Sequence, residues 1–365
     1  MGEEICGETQ VRRADAGRIQ RQENLELLKA LAIVAMVLCH PVIRLGIRHA
    51  GYQQAFPFFF GDVILGVYLG VAHAFMFAMG VGITYTHRSA PGQLMGRGLR
   101  IFLLGYALNF CRYGVYALVE GIISGAFEAE TLEALFGPDI LQFAGLALIA
   151  TGVFEKMKLR AGHLLGIGLF LSAVGAALPF VDTGNYALNL LAGHLVYTTW
   201  DTSCFPFLHW YLFVAAGMLF GAILHKVQDK DRFYLRLMLA SGGIMAAYLA
   251  ATAVFGALFL CRARNYYALS PLEAAGLMSI DLFLLSAFHF GAQRVDAAKL
   301  RVFWEMSRNV TPIYCIHWCI LGGIDSVCSY LLEITFPWPA IYGIGLVLLV
   351  LSFYLARLWK RRKEV

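Results

Sequence analysis

From residue 25 onward the chain alternates long apolar runs with short polar breaks. A helix that crosses a bilayer needs roughly 20 predominantly apolar residues. The runs predict an all-α fold, a polytopic bundle of about ten transmembrane helices. Their approximate bounds are 25–45, 60–84, 99–118, 139–155, 162–180, 206–225, 237–260, 271–291, 309–332 and 339–358. No internal repeat of the kind that builds many transporters is visible. Gly66 and Gly70, and Gly217 and Gly221, have the GxxxG spacing that lets membrane helices approach closely.

Composition agrees with this pattern. Of 365 residues 59% are hydrophobic and 15% charged, and the mean hydropathy is +0.66. Too little charge is present to cover a soluble surface. The net charge of +5 reads as a topology signal. With the N-terminus inside, all but five of the 29 Lys and Arg fall on the cytoplasmic side, the exceptions being Arg44, Arg48, Arg112, Arg262 and Arg264. Both termini are therefore expected in the cytoplasm and the protein in the cell membrane as a multi-pass chain. The expected organisation is a cytoplasmic tail at 1–24, a transmembrane domain at 25–358 and a basic cytoplasmic tail at 359–365. The first run reads as a retained span, with no cleavage site of small residues after it. No basic patch interleaved with aromatics suggests nucleic-acid binding.

The eight cysteines include no CxxC, so neither a metal site nor a disulfide framework is expected. A bridge between Cys204 and Cys261 is conceivable on position alone. The expected outer loops around 119–138 and 181–205 read as solvated connectors or as a vestibule.

Ionisable residues inside spans are costly and are functional candidates by default. The first span carries Glu26, Lys29 and His40. At about 100° and 1.5 Å per residue, Lys29 and His40 differ by about 20° around the helix and lie about 16 Å apart along it. Glu26 falls within about 60° of Lys29 on the same geometry. One face thus presents a carboxylate, an ammonium and an imidazole. Glu26 and Lys29 also fit simple snorkelling at the interface. His73, Asp281, His317 and Asp325 are further intramembrane polar groups, and either acid could pair with a His or with Lys29. Arg88, Arg97 and Arg100, with His87, cluster near the inner ends of spans two and three. That pattern suits phosphate binding and also plain positive-inside anchoring.

The stretch from Asn24 to His40 resembles the opening span of the transmembrane acyltransferase superfamily, which includes the acyltransferase 3 and heparan-alpha-glucosaminide N-acetyltransferase families. Glu26 stands for the Asp, Lys29 for the Arg and Ala30 for the Gly of the usual Leu-Asp-x-x-Arg-Gly motif, and His40 keeps its spacing. Lys in place of Arg replaces a bidentate fork by a point charge. Phe75 to Gly82 is similar to the Phe-rich close of the second span, with His73 where Pro is common. Tyr314-Cys-Ile-His317-Trp318 resembles a late Tyr-x-x-His-Trp segment, and Asp139-Ile-Leu-Gln142 a Leu-Gln element of the glucosaminide branch.

The resemblance implies an enzyme that moves an acyl group, commonly acetyl, from acyl-CoA on the cytoplasmic side to a hydroxyl or amine of a carbohydrate acceptor. It assigns His40, Lys29, Glu26 and His317 to catalysis and Arg88, Arg97 and Arg100 to the CoA phosphates. His49 is the nearest match to the histidine of the glucosaminide branch, and His40 is preferred for its spacing. The outer arginines Arg44, Arg48, Arg262 and Arg264 are expected to help line an acceptor site for an anionic or sugar-rich substrate. Two other classes compete: a transporter coupling protons through His40, His73, Asp281 and Asp325, and a haem protein using His40, His73 and His317.

Overall fold

A computed structural model describes residues 22–69, 71–85, 90–125, 135–178, 180–198, 203–260 and 265–363. Within these the chain is helical and joined by short loops. The first helix, α1 (Glu23–Leu45), is followed by a π-helical segment, Phe60–Tyr68, that leads into α2 (Val71–Tyr85). Next come α3 (Pro91–Ser124), α4 (Ile140–Lys156), α5 (Ala161–Ala177) and the short α6 (Tyr186–Gly193). The second half holds α7 (Phe207–Leu224), α8 (Lys230–Phe255), α9 (Pro271–Ala292), α10 (Ala297–Arg308) and α11 (Val310–Ile324). A second π-helical segment, Asp325–Leu331, extends α11, and α12 (Trp338–Lys363) ends the fold.

Local signals set several helix starts. Asp139 caps α4, accepting from the Ile140 amide at 2.7 Å, and the Gln142 side chain reaches back to the Asp139 amide at 3.1 Å. Ser270 accepts from the Glu273 amide and Pro271 occupies the first turn of α9. Both devices satisfy amides that a helix start leaves open.

Seven helical stretches of the described residues are long and apolar enough to cross a membrane: Glu23–Arg48, Phe56–Tyr85, Phe207–Leu224, Lys230–Phe255, Pro271–Ala292, Val310–Cys328 and Trp338–Arg361. The protein is a multi-pass membrane helical bundle, with seven such spans where the apolar pattern predicts ten. The other three expected spans are helices too. α4 and α5 have 17 residues each, at the lower edge of the length that can cross a bilayer. α3 is a 34-residue helix whose apolar run carries the buried Asn109 and Arg112. Leu239, Val254, Leu346 and Val347 are exposed on α8 and α12, as befits a surface that meets lipid rather than water.

α1 lies at the centre, packed against α2, α9, α10, α11, α12 and the first π-helical segment. Its residues Leu28, Ala32, Ile33, Val37 and Val42 are wholly buried. α2 and α7 approach each other closely. A Cβ on Gly217 would overlap the Phe77 carbonyl oxygen, and one on Gly80 the Val214 carbonyl oxygen. The Gly217 and Gly221 pair thus does what its spacing predicts; Gly66 makes only ordinary contacts, and Gly70 lies outside the described residues. Because Gly217 meets backbone, Gly217→Leu must spread the two helices. It is expected to cost ~1–3 kcal/mol or more, read as a lowered thermal midpoint in detergent, whereas Gly243→Leu, with open space around it, leaves the midpoint unchanged.

Candidate active site

A cavity of about 970 Å³ runs along α1. From α1 it is lined by Lys29, Met36, His40, Ile43 and Arg44, positions that recur on one helix face. From Lys29 to Arg44 this face rises about 22 Å at 1.5 Å per residue. Phe75, Met76 and Met79 of α2 form an apolar wall between the ends.

At the Lys29 end, Lys29 pairs with Glu26 at 3.0 Å. Arg97 from α3 and Arg308 from the end of α10 also line this end. Glu26 does not itself line the cavity; it holds the Lys29 ammonium. Of the other basic residues expected here, Arg100 is exposed and its Nε donates to the Gly96 carbonyl at 3.2 Å, which leaves it off the cavity wall. Arg88 lies outside the described residues. Arg308, which the sequence offered only as an inner anchor, takes the place that the pattern gave to Arg100.

Deeper in, His40 meets His317 of α11. Their rings stack 5.1 Å apart at 6°, and His40 Nδ1 lies 2.8 Å from His317 Nε2. His317 Nδ1 lies 3.0 Å from the Ile313 carbonyl oxygen. A carbonyl only accepts, so that nitrogen carries a hydrogen. In neutral His317 the Nε2 atom is then an acceptor, and His40 Nδ1 donates to it. The network therefore assigns the hydrogen of a neutral His40 to Nδ1 and leaves Nε2 with a free lone pair. Backbone geometry at Ile313, two imidazoles away, fixes the tautomer of His40. His40 lines the cavity; His317, wholly buried, stands behind it.

A second set of groups holds His40 from the side. Trp318 lies over its ring at 4.3 Å between centroids. The Arg112 guanidinium sits 4.6 Å above the Trp318 ring and 4.7 Å from the Tyr113 ring, both within cation–π range. Arg112 pairs with Asp139 at 2.8 Å, and the Tyr314 hydroxyl donates to the same carboxylate oxygen at 3.1 Å. Gly322, one turn beyond Trp318, makes this approach possible, since a Cβ there would overlap the Arg112 carbonyl oxygen. At the far end Arg44 pairs with Asp325 at 2.6 Å.

Sequence reasoning counted Arg112 among outer charges. The available signal was its position inside the expected span 99–118, where an ionisable group is itself a flag. Asp139 and Trp318 were visible only as parts of short motifs.

The remaining histidines and acids have other duties. His49 donates to the Phe336 carbonyl at 2.7 Å and stacks on Trp338; it does not reach the cavity. His73 Nε2 donates to the Val67 carbonyl at 2.9 Å and Nδ1 meets Asp281 at 2.7 Å. This pair is wholly buried and ties α2 to α9. Asp281 thus partners a His and Asp325 an Arg; neither reaches Lys29. Both nitrogens of His73 are engaged, and His40 and His317 face each other, an arrangement unsuited to holding a haem iron. The four groups of the supposed proton path fall into three separate pairs, His40 with His317, His73 with Asp281 and Arg44 with Asp325. Cys204 lines the cavity wall; Cys261, Arg262 and Arg264 lie outside the described residues.

The cavity brings Lys29, Arg97 and Arg308 to one end and His40 to its wall. The acyltransferase 3 family, described as an acyltransferase domain, matches residues 22–357. The chain belongs to the acyltransferase 3 family. Membership implies a transferase that uses an acyl donor, and the matched region contains every cavity residue described above. No curated protein matches the chain.

Proposed function

We propose that the protein transfers an acyl group, most simply acetyl, from acyl-CoA to a hydroxyl or amine of a carbohydrate in the cell envelope. The observation that carries this reading is His40 on the cavity wall, with Nδ1 engaged by His317 and Nε2 left as its acceptor atom, about 16 Å along α1 from Lys29. The charge bias of the chain puts both termini, and so the Lys29 end, on the cytoplasmic side, where acyl-CoA is available.

Lys29, Arg97 and Arg308 suit the phosphates of the donor. The arm between diphosphate and thioester has about four residues' worth of backbone bonds. At about 3.5 Å per residue it reaches roughly 14 Å, enough to bring the thioester from the basic end to His40 along the apolar wall of Phe75, Met76 and Met79. His40 Nε2 takes the proton of the acceptor hydroxyl as its oxygen attacks the thioester carbon. The carbon–sulfur bond then breaks, and the departing thiolate takes the proton from His40. Glu26 keeps Lys29 oriented, and Trp318 and Arg112 hold the His40 ring. The acceptor approaches from the Arg44 end. This division puts donor and acceptor on opposite sides of one base, so a covalent enzyme intermediate is unnecessary.

The test is release of CoA by the purified protein in lipid nanodiscs, supplied with acetyl-CoA and a panel of sugars. Release that depends on both the sugar and His40 supports the reading; no acceptor-dependent release with any sugar overturns it. The phosphate role has its own check. Arg97→Gln and Arg308→Gln are each expected to raise KM for acetyl-CoA roughly tenfold, the scale of a charge-assisted contact, with kcat little changed. With a short N-acetylcysteamine thioester, which lacks phosphates, the same variants behave like the parent.

A further inference from the structure

At the Lys29 end the cavity is lined by Lys29, Arg97 and Arg308, and Lys29 pairs with Glu26 at 3.0 Å. At the other end each arginine has its own carboxylate: Arg44 with Asp325 at 2.6 Å and Arg112 with Asp139 at 2.8 Å. The side chains of Asp325 and Arg112 are 3% and 8% exposed, so these pairs are only weakly screened by water. Asp325 is behind Arg44 and does not line the cavity itself. A ligand at this end therefore meets guanidinium groups whose charge is already cancelled, that of Arg44 from behind by Asp325 and that of Arg112 by Asp139 on the cavity wall. An anionic ligand would have to displace a carboxylate or sit near it, and like charges at close range cost far more in a low-dielectric site. A neutral polyol meets no such cost, since hydroxyls can both donate and accept among these groups.

On the acyltransferase reading, we propose that the Arg44 end takes a neutral, polyhydroxylated acceptor, and that Asp325 and Asp139 set this preference by neutralising Arg44 and Arg112. Of the two acceptors expected at outer arginines such as Arg44, anionic or sugar-rich, this takes the sugar-rich one and sets the anionic one aside. It also makes Asp325 a specificity-determining residue that acts through Arg44, without touching the acceptor.

Equilibrium binding of methyl glucoside and of methyl glucuronoside to the protein in nanodiscs, without donor, tests the proposal separately from catalysis. The parent is expected to bind the glucoside roughly tenfold more tightly, the scale of one charged contact. Asp325→Asn removes the carboxylate that pairs with Arg44 and is expected to shift the ratio at least about tenfold towards the glucuronoside. The double variant Arg44→Gln with Asp325→Asn, neutral again, restores the parent's ratio, which separates a charge effect from damage to the fold. Equal or tighter binding of the glucuronoside by the parent overturns the proposal, as does a ratio unmoved by Asp325→Asn or binding of neither sugar. Selective glucoside binding without any acyl transfer would leave the proposal standing and sink the acyltransferase reading. Transfer that favours the glucuronoside would do the reverse.

Discussion

His40→Ala is expected to lower kcat for sugar-dependent CoA release by roughly 10²–10⁴-fold, the usual contribution of a general base. KM for acetyl-CoA should change little, because the phosphates are gripped some 16 Å away along α1. His317 separates two ideas of the pair. If it only orients His40, His317→Asn should keep much of the activity, since an amide oxygen can accept from His40 Nδ1. His317→Leu, which offers no acceptor, should lose far more and lose it in kcat. An His40→Ala variant with undiminished release would refute the mechanism.

The second large effect concerns stability. Arg112→Met removes the cation beside Asp139 and leaves that carboxylate with the Tyr314 hydroxyl and the Ile140 amide. Breaking a buried pair from one side costs about 3–5 kcal/mol. The Asp139 side chain is 17% exposed, so ~3 kcal/mol, the low end of that range, is expected. The measurement is the unfolding midpoint in detergent. Adding Asp139→Asn to Arg112→Met should recover part of the loss, because the uncompensated charge goes while the helix cap stays. A double variant as unstable as, or less stable than, the single one would show that Arg112 stabilises through packing on Trp318 and Tyr113, with its charge secondary.

How much of this was legible in the sequence follows from distance along the chain. The α1 face of Lys29, Met36, His40 and Arg44 is a local periodicity, and helical geometry alone gives it. Helix positions were equally readable, since each depends on a continuous run of side chains. Counting spans was less secure. α3, α4 and α5 are helices at the expected places, but polar residues within α3 and the 17-residue length of α4 and α5 make them weaker span signals than the other seven.

The partners were the illegible part. His40 and His317 are 277 positions apart, and Arg44 and Asp325 281. Nothing in the spacing of either residue says which of several buried acids or imidazoles it will meet. Asp281 could have answered Lys29 as well as His73; only the packing of α9 against α2 decides. Arg308 was hidden differently, because positive-inside bias explains any basic residue near an inner helix end without giving it work to do.

The arrangement on α1 makes that helix a measuring rod. On the proposed reading Lys29, one of the three donor-binding cations, and His40, the base, sit on a single helix, eleven residues apart, and no loop between them can absorb a change in length. Replacing one apolar side chain in the interval for another alters the wall of the channel and little else. Adding or removing one residue turns everything beyond it by about 100°, so the base leaves the cavity while every side chain needed for the reaction is still present. Diversification of such a catalyst is therefore free in composition and frozen in register.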